Sequence, residues 1–493
     1  MIKIGEIKTS ILAGIYQHAT IDSVDIGALN EKSSSYFILF TEKIEKEEIH
    51  QIIEQLPSRS IFFIGKKYKK ELLFYGHFDL SSSYKKAETV EQFTAELAKI
   101  FYRGQNTGSL VLNESAIIGD QIKSYCRNGS YNLLLSFDQP NHWIVGVSWF
   151  KHYGNWMNGV NTFGFLRENK QYKVLLDHEI YGDAEIKIRV IFTDRDGEIA
   201  IQEFEQKQFI LDVPEYETIQ IEYLVKGTGE AEIRKGLLAR NRGEFGVLLP
   251  GDEQIQTNQG ETINCYEIPG KKHEKLIVSF TGALHHISKF EYTTLSRFSY
   301  PVLLFSDLRS RSGAFHIGKY LSKEYEDQLI SRIEQALEKY GLDKSDVIFN
   351  GYSLGSFAAM YYGIKLNAKA VIVSKPIIQL GDVSKTNPIL WAADGTMIDA
   401  RYYLMERLDD ADDYVLNNLL WAEFEKPPNL TTDFYLFNMS NDELDHGEYQ
   451  RLRQLLTERK LLKKVQTEEG YHAEKFVEMR KFILNSLGEI GNE

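Results

Sequence analysis

From residue 273 onward, short apolar runs of strand length alternate with segments of helical periodicity. The strand-like runs cover residues 276–280, 302–305, 347–350, 370–373, 434–438 and 462–465, and the helical segments cover residues 325–340, 356–366, 449–459 and 473–487. Strands that alternate with helices usually pair in parallel and are covered by helices on both faces. We therefore expect a doubly wound α/β sheet in this half. A helical insertion at residues 381–428 is a candidate lid.

The N-terminal half has a different pattern. Residues 36–40 and 60–64 are apolar runs of strand length, while residues 44–56 and 90–101 have helical spacing. Polar and apolar side chains alternate in residues 132–137, 143–149, 186–192, 209–213 and 219–225. Several short strands without a long helix indicate a β-sandwich. We expect three domains: an α/β region at 1–105, a β-sandwich-like domain at 106–255, and the doubly wound sheet at 265–493.

The charge and cysteine content exclude several classes of protein. Among 493 residues, 57 basic and 70 acidic side chains give a net charge of −13, without a Lys/Arg tract. This balance disfavours general binding to nucleic acids or anionic membranes. Cys126 and Cys265 are too few for a disulfide framework or a cysteine zinc site. With no signal-peptide layout and no apolar run near the roughly 18 residues of a membrane span, we expect a soluble cytoplasmic protein without a bound metal.

The strongest chemical signal is the pentapeptide Gly351-Tyr352-Ser353-Leu354-Gly355, a Gly-x-Ser-x-Gly sequence. It lies between a strand-like run and a helical segment, as required for the nucleophile elbow of an α/β-hydrolase fold. There a sharp turn holds the serine in a strained conformation. The alternative is an ordinary βα turn in which the serine caps the helix. We interpret residues 265–493 as an α/β-hydrolase-like catalytic domain.

A catalytic serine needs a histidine base and a carboxylate that orients it. Two histidines follow Ser353, and His472 lies between the last strand and the last helix, where this fold places its base. We interpret the other, His446, as a surface histidine. The loop after residues 434–438 contains Asp442, Glu443 and Asp445, and sequence alone leaves the choice of acid open.

The oxyanion hole of this fold combines the amide after the nucleophile with one from an early loop. These criteria select Leu354 and either Gly282 or Ala283, although residues 281–283 could equally be a plain βα turn.

Two weaker signals concern ligands. Arg309, Arg311 and Lys319 could receive an anionic acyl donor, but they could also be solvated surface charges. Trp143 and Trp149 belong to an aromatic-rich stretch that could bind sugars or fill a core.

The layout of the chain, the elbow around Ser353, and the late Glu443 and His472 resemble the acetyltransferase subunit of the accessory Sec system. In Gram-positive bacteria this system glycosylates and exports serine-rich-repeat adhesins. The similarity covers essentially the whole length, and its sharp motifs are the elbow and the segment Gly470-Tyr471-His472. The resemblance implies a catalytic set of Ser353, Glu443 and His472, with Asp442 as the alternative acid.

The resemblance also implies an activity and partners. The activity is O-acetylation of N-acetylglucosamine on the adhesin through an acyl-enzyme, with acetyl-CoA as donor and no tightly bound cofactor. The β-sandwich would resemble a carbohydrate-binding module. The partners would be two sibling accessory proteins, the motor ATPase of the system and the glycosylated adhesin, with peripheral membrane contact through the translocase. The alternatives are a serine esterase that acts on carbohydrates or other esters, and a non-catalytic scaffold of an export complex.

Overall fold

The computed structural model describes most of the chain as three β-sheets that follow one another in sequence. The described residues are 4–7, 16–19, 36–56, 59–82, 105, 107–110, 122–126, 133–152, 171–194, 196–214, 218–282, 290–310, 313–384, 396–405, 410–426, 429–444 and 447–491. The predicted helix at 90–101 and the residues Ala283, Arg311, Asp445 and His446 lie outside this set.

Among the described residues, the first sheet has five strands, and two helices accompany it. Its elements are β1 (Ile4–Ile7), β2 (Tyr16–Ala19), β3 (Tyr36–Phe40), α1 (Lys46–Gln55), β4 (Ile61–Ile64), α2 (Lys69–Phe74) and β5 (Phe78–Asp79). The strand order is β2-β1-β3-β4-β5, with β3, β4 and β5 parallel. Helix α1 buries Ile49, Ile52 and Ile53 against this sheet. The predicted strands at 36–40 and 60–64 and the helix at 44–56 are confirmed.

The described residues of the second sheet form eight antiparallel strands. They are β6 (Thr107–Leu110), β7 (Ile122–Cys126), β8 (Leu133–His152), β9 (Gln171–Gly182), β10 (Glu185–Asp194), β11 (Gly197–Phe204), β12 (Gln208–Asp212) and β13 (Thr218–Arg240). Strand β13 pairs with β10 along residues 218–226 and with β9 along residues 229–240. Both parts contribute to one apolar cluster. An antiparallel β domain is therefore present, while its description as a β-sandwich and its likeness to a carbohydrate-binding module stay predictions.

The prediction of separate strands at 132–137 and 143–149 is wrong, because β8 is one strand of 20 residues. Pro140 and Asn141 lie between the two predicted strands, and both residue types are uncommon inside a strand, since proline has no N–H to donate and asparagine favours turns. The structure accommodates them in an irregularity opposite residues 225–227 of β13, where the pairing register shifts.

In the part of this region that the structure describes, the third sheet has eight strands and is accompanied by eight helices. These elements are β14 (Glu253–Gln256), β15 (Thr262–Ile268), β16 (Leu276–Phe280), α3 (Tyr292–Leu295), β17 (Val302–Ser306), α4 (Lys323–Tyr340), β18 (Val347–Tyr352), α5 (Leu354–Leu366), β19 (Ala370–Ser374), α6 (Leu380–Ser384), α7 (Thr396–Met405), α8 (Asp410–Glu425), β20 (Asp433–Met439), α9 (Glu448–Glu458), β21 (Leu462–Glu468) and α10 (Phe476–Gly491).

The strand order of this sheet is β14-β15-β17-β16-β18-β19-β20-β21. The strands from β16 to β21 are parallel to one another, and β14 and β15 are antiparallel to their neighbours. Side chains on the two faces of the sheet enter two different apolar clusters, each completed by helices. The predicted α/β-hydrolase-like, doubly wound sheet is confirmed.

Strands β14 and β15 were not predicted, because most residues between Gly251 and His273 are polar. Strand β15 is almost entirely buried although it contains Asn264 and Glu267. Glu267 is paired there with Arg332 and Lys339 of helix α4. The third sheet thus begins at residue 253, whereas the domain limits at 255 and 265 stay predictions.

Among the described residues, no helix is both long and apolar enough to cross a membrane.

Candidate active site

Ser353 lies at a sharp turn between β18 and α5. Its φ of 51° and ψ of −125° belong to a backbone region that residues with side chains rarely adopt. The Ser353 N–H donates to the Ser374 carbonyl at 3.0 Å, and the Ser356 N–H donates to the Ser353 carbonyl at 2.8 Å. The Ser353 side chain makes no capping hydrogen bond to the helix. The turn is therefore the strained strand-to-helix turn predicted from the pentapeptide, and its hydroxyl is available for other contacts.

The two glycines of the pentapeptide leave no room for a side chain. A Cβ on Gly351 would lie 2.1 Å from the Gly355 carbonyl oxygen. A Cβ on Gly355 would lie 2.3 Å from the Phe280 carbonyl oxygen at the end of β16. Close backbone approach explains why the sequence has glycine at both positions.

His472 connects Ser353 to a carboxylate. The Ser353 Oγ lies 2.8 Å from His472 Nε2, and His472 Nδ1 lies 2.9 Å from both carboxylate oxygens of Asp442. Because a carboxylate only accepts hydrogen bonds, Nδ1 carries the proton and donates to Asp442. Nε2 is then free to accept from the Ser353 hydroxyl. The His472 and Asp442 side chains are only 7% and 4% exposed, and burial strengthens such a polar chain.

The carboxylate that accepts the hydrogen bond of the imidazole is Asp442. This corrects the expectation that Glu443 is the acid of the triad. The Glu443 Oε2 instead accepts from the backbone N–H of His472 at 2.8 Å. The Asp442 carboxylate is held in place because its Oδ1 also accepts from the Leu444 N–H at 3.0 Å. Glu443 therefore fixes the backbone of the histidine loop, and Asp442 fixes the ring.

The loop that carries His472 is tied to the loop of the acid. The Asn441 N–H donates to the Gly470 carbonyl at 3.1 Å. Gly470 has φ of 140°, and a Cβ there would lie 2.2 Å from Glu474 Oε2. The same oxygen accepts from the Tyr471 N–H at 3.0 Å. These contacts place His472 opposite Ser353.

The predicted oxyanion donors lie beside the elbow. Leu354 is the first residue of α5, where N–H groups lack partners within the helix. Gly282 is buried against the ring of Tyr352, since a Cβ on it would lie 2.4 Å from Tyr352 Cε2. Ala283, the other candidate, lies outside the described residues. The roles of Leu354 and Gly282 as oxyanion donors stay predictions.

Tyr352 anchors this part of the site. Its hydroxyl donates to Glu291 Oε1 at 2.9 Å. Burial and the nearby Glu291 carboxylate raise the pKa of Tyr352 well above its usual range, so the hydroxyl keeps its proton and its hydrogen bond.

Arg309 is buried and paired, which corrects the expectation that it could receive an anionic donor. Its Nε donates to Asp307 Oδ1 at 2.8 Å, and its Nη1 donates to Glu261 Oε1 at 2.6 Å. The guanidinium carbon lies 3.6 Å from the centroid of the Tyr325 ring. Arg309 therefore stabilises the fold around these carboxylates. Lys319 also has a partner, because its ammonium pairs with Glu179.

Lys375 lies near the triad and was not predicted from the sequence. It follows β19 directly, and its Nζ donates to the Glu474 carbonyl at 2.5 Å. Lys375 could have been predicted as a candidate because it is a charged residue at the carboxyl end of an apolar strand. This is the edge at which α/β sheets place their functional groups.

Among the described residues, no group of three or more His, Cys, Asp and Glu side chains could hold a metal ion.

Comparison with known proteins identifies the family. The family model of the Accessory Sec system GspB-transporter matches residues 9–490. The chain belongs to this family. It is 29% identical over 319 residues to an accessory Sec system protein of Staphylococcus aureus, across 62% of this chain and 59% of that protein. It is 26% identical over 369 residues to one of Streptococcus gordonii, across 73% of this chain and 70% of that protein.

A solved structure shares the fold. The structure of the Glycosylation Associate Protein (Gap123) complex from Streptococcus agalactiae contains a chain with 22% identity and a TM-score of 0.74. The match covers 92% of this chain and 86% of that chain. At this level of identity the likeness extends to the fold alone.

Proposed function

We propose that the protein is a serine-dependent O-acetyltransferase that acetylates N-acetylglucosamine on serine-rich-repeat glycoprotein adhesins. The observation that carries the proposal is the hydrogen-bonded chain from Asp442 through His472 to Ser353, at a strained turn after a parallel strand. Such a chain activates a serine hydroxyl for attack on an acyl group. Membership of the accessory Sec family supports the choice of substrate.

In the first half-reaction, the Ser353 Oγ attacks the carbonyl carbon of the acetyl donor, and His472 Nε2 takes the hydroxyl proton. Asp442 stabilises the imidazolium that forms. The Leu354 and Gly282 amides would stabilise the negative oxygen of the tetrahedral intermediate. For a thioester donor, the proton on His472 then passes to the departing thiolate. The products of this step are acetyl-Ser353 and a free thiol.

In the second half-reaction, a sugar hydroxyl gives its proton to His472 and attacks the acetyl-enzyme. The Ser353 oxygen leaves and recovers the proton, so the enzyme is regenerated. Transfer to a sugar requires that water be kept from the acetyl-enzyme. Residues 381–428 stay the predicted lid for this purpose.

We propose acetyl-CoA as the donor substrate. Its phosphates are anionic and the chain carries a net charge of −13, so its capture would depend on local groups. Arg309 and Lys319 are already paired with carboxylates. The donor site must therefore use other groups than these two cations.

We also propose that the protein works in the cytoplasm in a complex with two sibling accessory proteins. This complex would act with the motor ATPase to support adhesin export and would contact the membrane through the translocase. The shared fold with a chain of the Gap123 complex supports an assembly of this kind.

A fluorophosphonate probe together with mass analysis of the adhesin tests the activity. We expect the probe to label Ser353 in the wild type, and labelling to be lost in Ser353→Ala and His472→Ala. The adhesin from cells with Ser353→Ala should lack O-acetyl groups on its sugars. Ser331→Ala, on helix α4, is the matched control and should behave as wild type. A folded Ser353→Ala protein that still supports full acetylation would exclude the proposal.

The same experiment separates the two alternatives. A carbohydrate or other serine esterase would be labelled at Ser353 but would release acetate from esters without acetylating the adhesin. A scaffold would not be labelled, and its Ser353→Ala variant would support export as well as the wild type does.

A further inference from the structure

Lys375 occupies a strained position between the nucleophile and the acid. Its φ is 50°, a left-handed conformation that residues with a side chain rarely adopt. The preceding residue, Ser374, accepts the N–H of Ser353 at 3.0 Å. The N–H of Lys375 donates to the Phe437 carbonyl of β20 at 2.7 Å. Its backbone therefore joins the strand that leads to the acid to the turn that holds the nucleophile.

The side chain of Lys375 contacts the histidine loop. Its Nζ donates to the carbonyl of Glu474, two residues after His472, at 2.5 Å, and lies 3.9 Å from the centroid of the Phe476 ring. The residue is 1% exposed. A buried ammonium that binds a backbone carbonyl restricts the position of that backbone.

The charges around Lys375 are mainly negative. Asp442, Glu443 and Glu474 all raise the pKa of its ammonium, but burial has the larger effect and lowers the pKa to about 8. Lys375 is therefore mostly charged at neutral pH and neutral in alkaline solution. Its charge offsets two adjacent carboxylates that both bind His472, one at the ring and one at the backbone.

We propose that Lys375 is a positioning residue of the triad, whose ammonium holds the loop of His472 in place and balances the carboxylates beside the imidazole. The inference rests on the proposed function, because it assigns Lys375 a role in activating Ser353. The proposed role involves no contact of Lys375 with the substrate.

The test is the rate at which a fluorophosphonate probe labels Ser353 in the full-length protein between pH 6 and pH 9.5. We expect the wild-type rate to fall as pH rises through about 8, because Lys375 loses its charge there. Lys375→Met keeps the length of the side chain but has no charge. It should label about 10- to 100-fold more slowly at pH 7, since small misplacements of catalytic groups cost rates of this order. The labelling rate of Lys375→Met should not fall near pH 8.

Lys464→Met is the matched control. Lys464 lies on β21, pairs with Glu489 at 2.5 Å and lies 5.6 Å from the centroid of the Phe482 ring. We expect this variant to keep the wild-type rate and pH profile. A folded Lys375→Met protein that labels at the wild-type rate, or that keeps the fall near pH 8, would overturn the inference. If Lys375→Met does not fold, the wild-type protein alone still tests the inference. A wild-type labelling rate that does not fall near pH 8 would then overturn the inference. A wild type that is not labelled at all would instead refute the proposed function.

Discussion

Two neighbouring carboxylates, Asp442 and Glu443, bind different atoms of His472, and this difference determines how each substitution acts. Asp442→Asn should keep the size of the side chain but lose the charge that fixes the imidazole tautomer. We expect Ser353 labelling to slow by about 10³- to 10⁴-fold, the order found when a triad acid becomes an amide. Glu443→Gln keeps an oxygen that accepts the His472 N–H, so its rate should fall by less than about tenfold.

Labelling kinetics on both folded variants at pH 7 measure this difference. Glu443 is the acid that the family resemblance implies, so the pair also tests that assignment in this chain. A larger loss in Glu443→Gln than in Asp442→Asn would show that Glu443 takes over the orienting role during the reaction.

At the level of secondary-structure elements, the elbow depends on the close approach of strand β16 to helix α5. A Cβ on Gly355 would lie 2.3 Å from the Phe280 carbonyl oxygen, and backbone on both sides cannot move away easily. Gly355→Ala should therefore destabilise the protein by about 1–3 kcal/mol. It should also abolish Ser353 labelling, because the turn that presents the hydroxyl is displaced.

Gly488→Ala is the matched control for this prediction. Gly488 lies in helix α10, and a Cβ on it would meet no atom within 4 Å. Replacing a helical glycine with alanine stabilises a protein by about 0.5–1 kcal/mol. Thermal unfolding and probe labelling of both variants are the measurements. Normal labelling in Gly355→Ala would contradict the steric argument.

The elements that could be predicted from sequence are those in which apolar residues occupy the buried positions. The strands from β16 to β19 are mostly apolar and fully buried, and the glycines around Ser353 fix a recognisable turn. Strand β15 was missed because Glu267 is a charged residue in a buried position, and its partners Arg332 and Lys339 are more than 60 residues away in the chain. Long-range pairing of this kind leaves no local signal.

The choice of acid could not be predicted for a similar reason. Asp442 and Glu443 are adjacent and chemically alike, and only the Leu444 N–H and the position of the His472 loop distinguish them. Both the direction of the Leu444 N–H and the position of the His472 loop depend on the folded backbone. The serine and the histidine could be predicted because each has a fixed place relative to a strand.

At the scale of the whole molecule, the three sheets are joined by specific contacts. Arg59, from the first sheet's region, donates to the Gly251 carbonyl at 2.7 Å and to the Glu267 carbonyl at 2.5 Å. Its guanidinium lies 4.3 Å from the centroid of the Tyr266 ring. Leu237, at the end of β13 in the second sheet, belongs to an apolar cluster made mostly by the third sheet and its helices.

This shared cluster predicts that the second and third sheets unfold together. Leu237 is 4% exposed, and Leu237→Ala should cost about 2–5 kcal/mol because it leaves a cavity in the cluster. We expect one thermal transition at a lower temperature, with Ser353 labelling lost at that same temperature, although Leu237 lies outside the catalytic sheet. Ile201→Ala, on strand β11 at a position 47% exposed, should change stability by less than about 0.5 kcal/mol. Two separate transitions in Leu237→Ala, with labelling lost at the wild-type temperature, would show instead that the catalytic sheet is stable without its contact to β13.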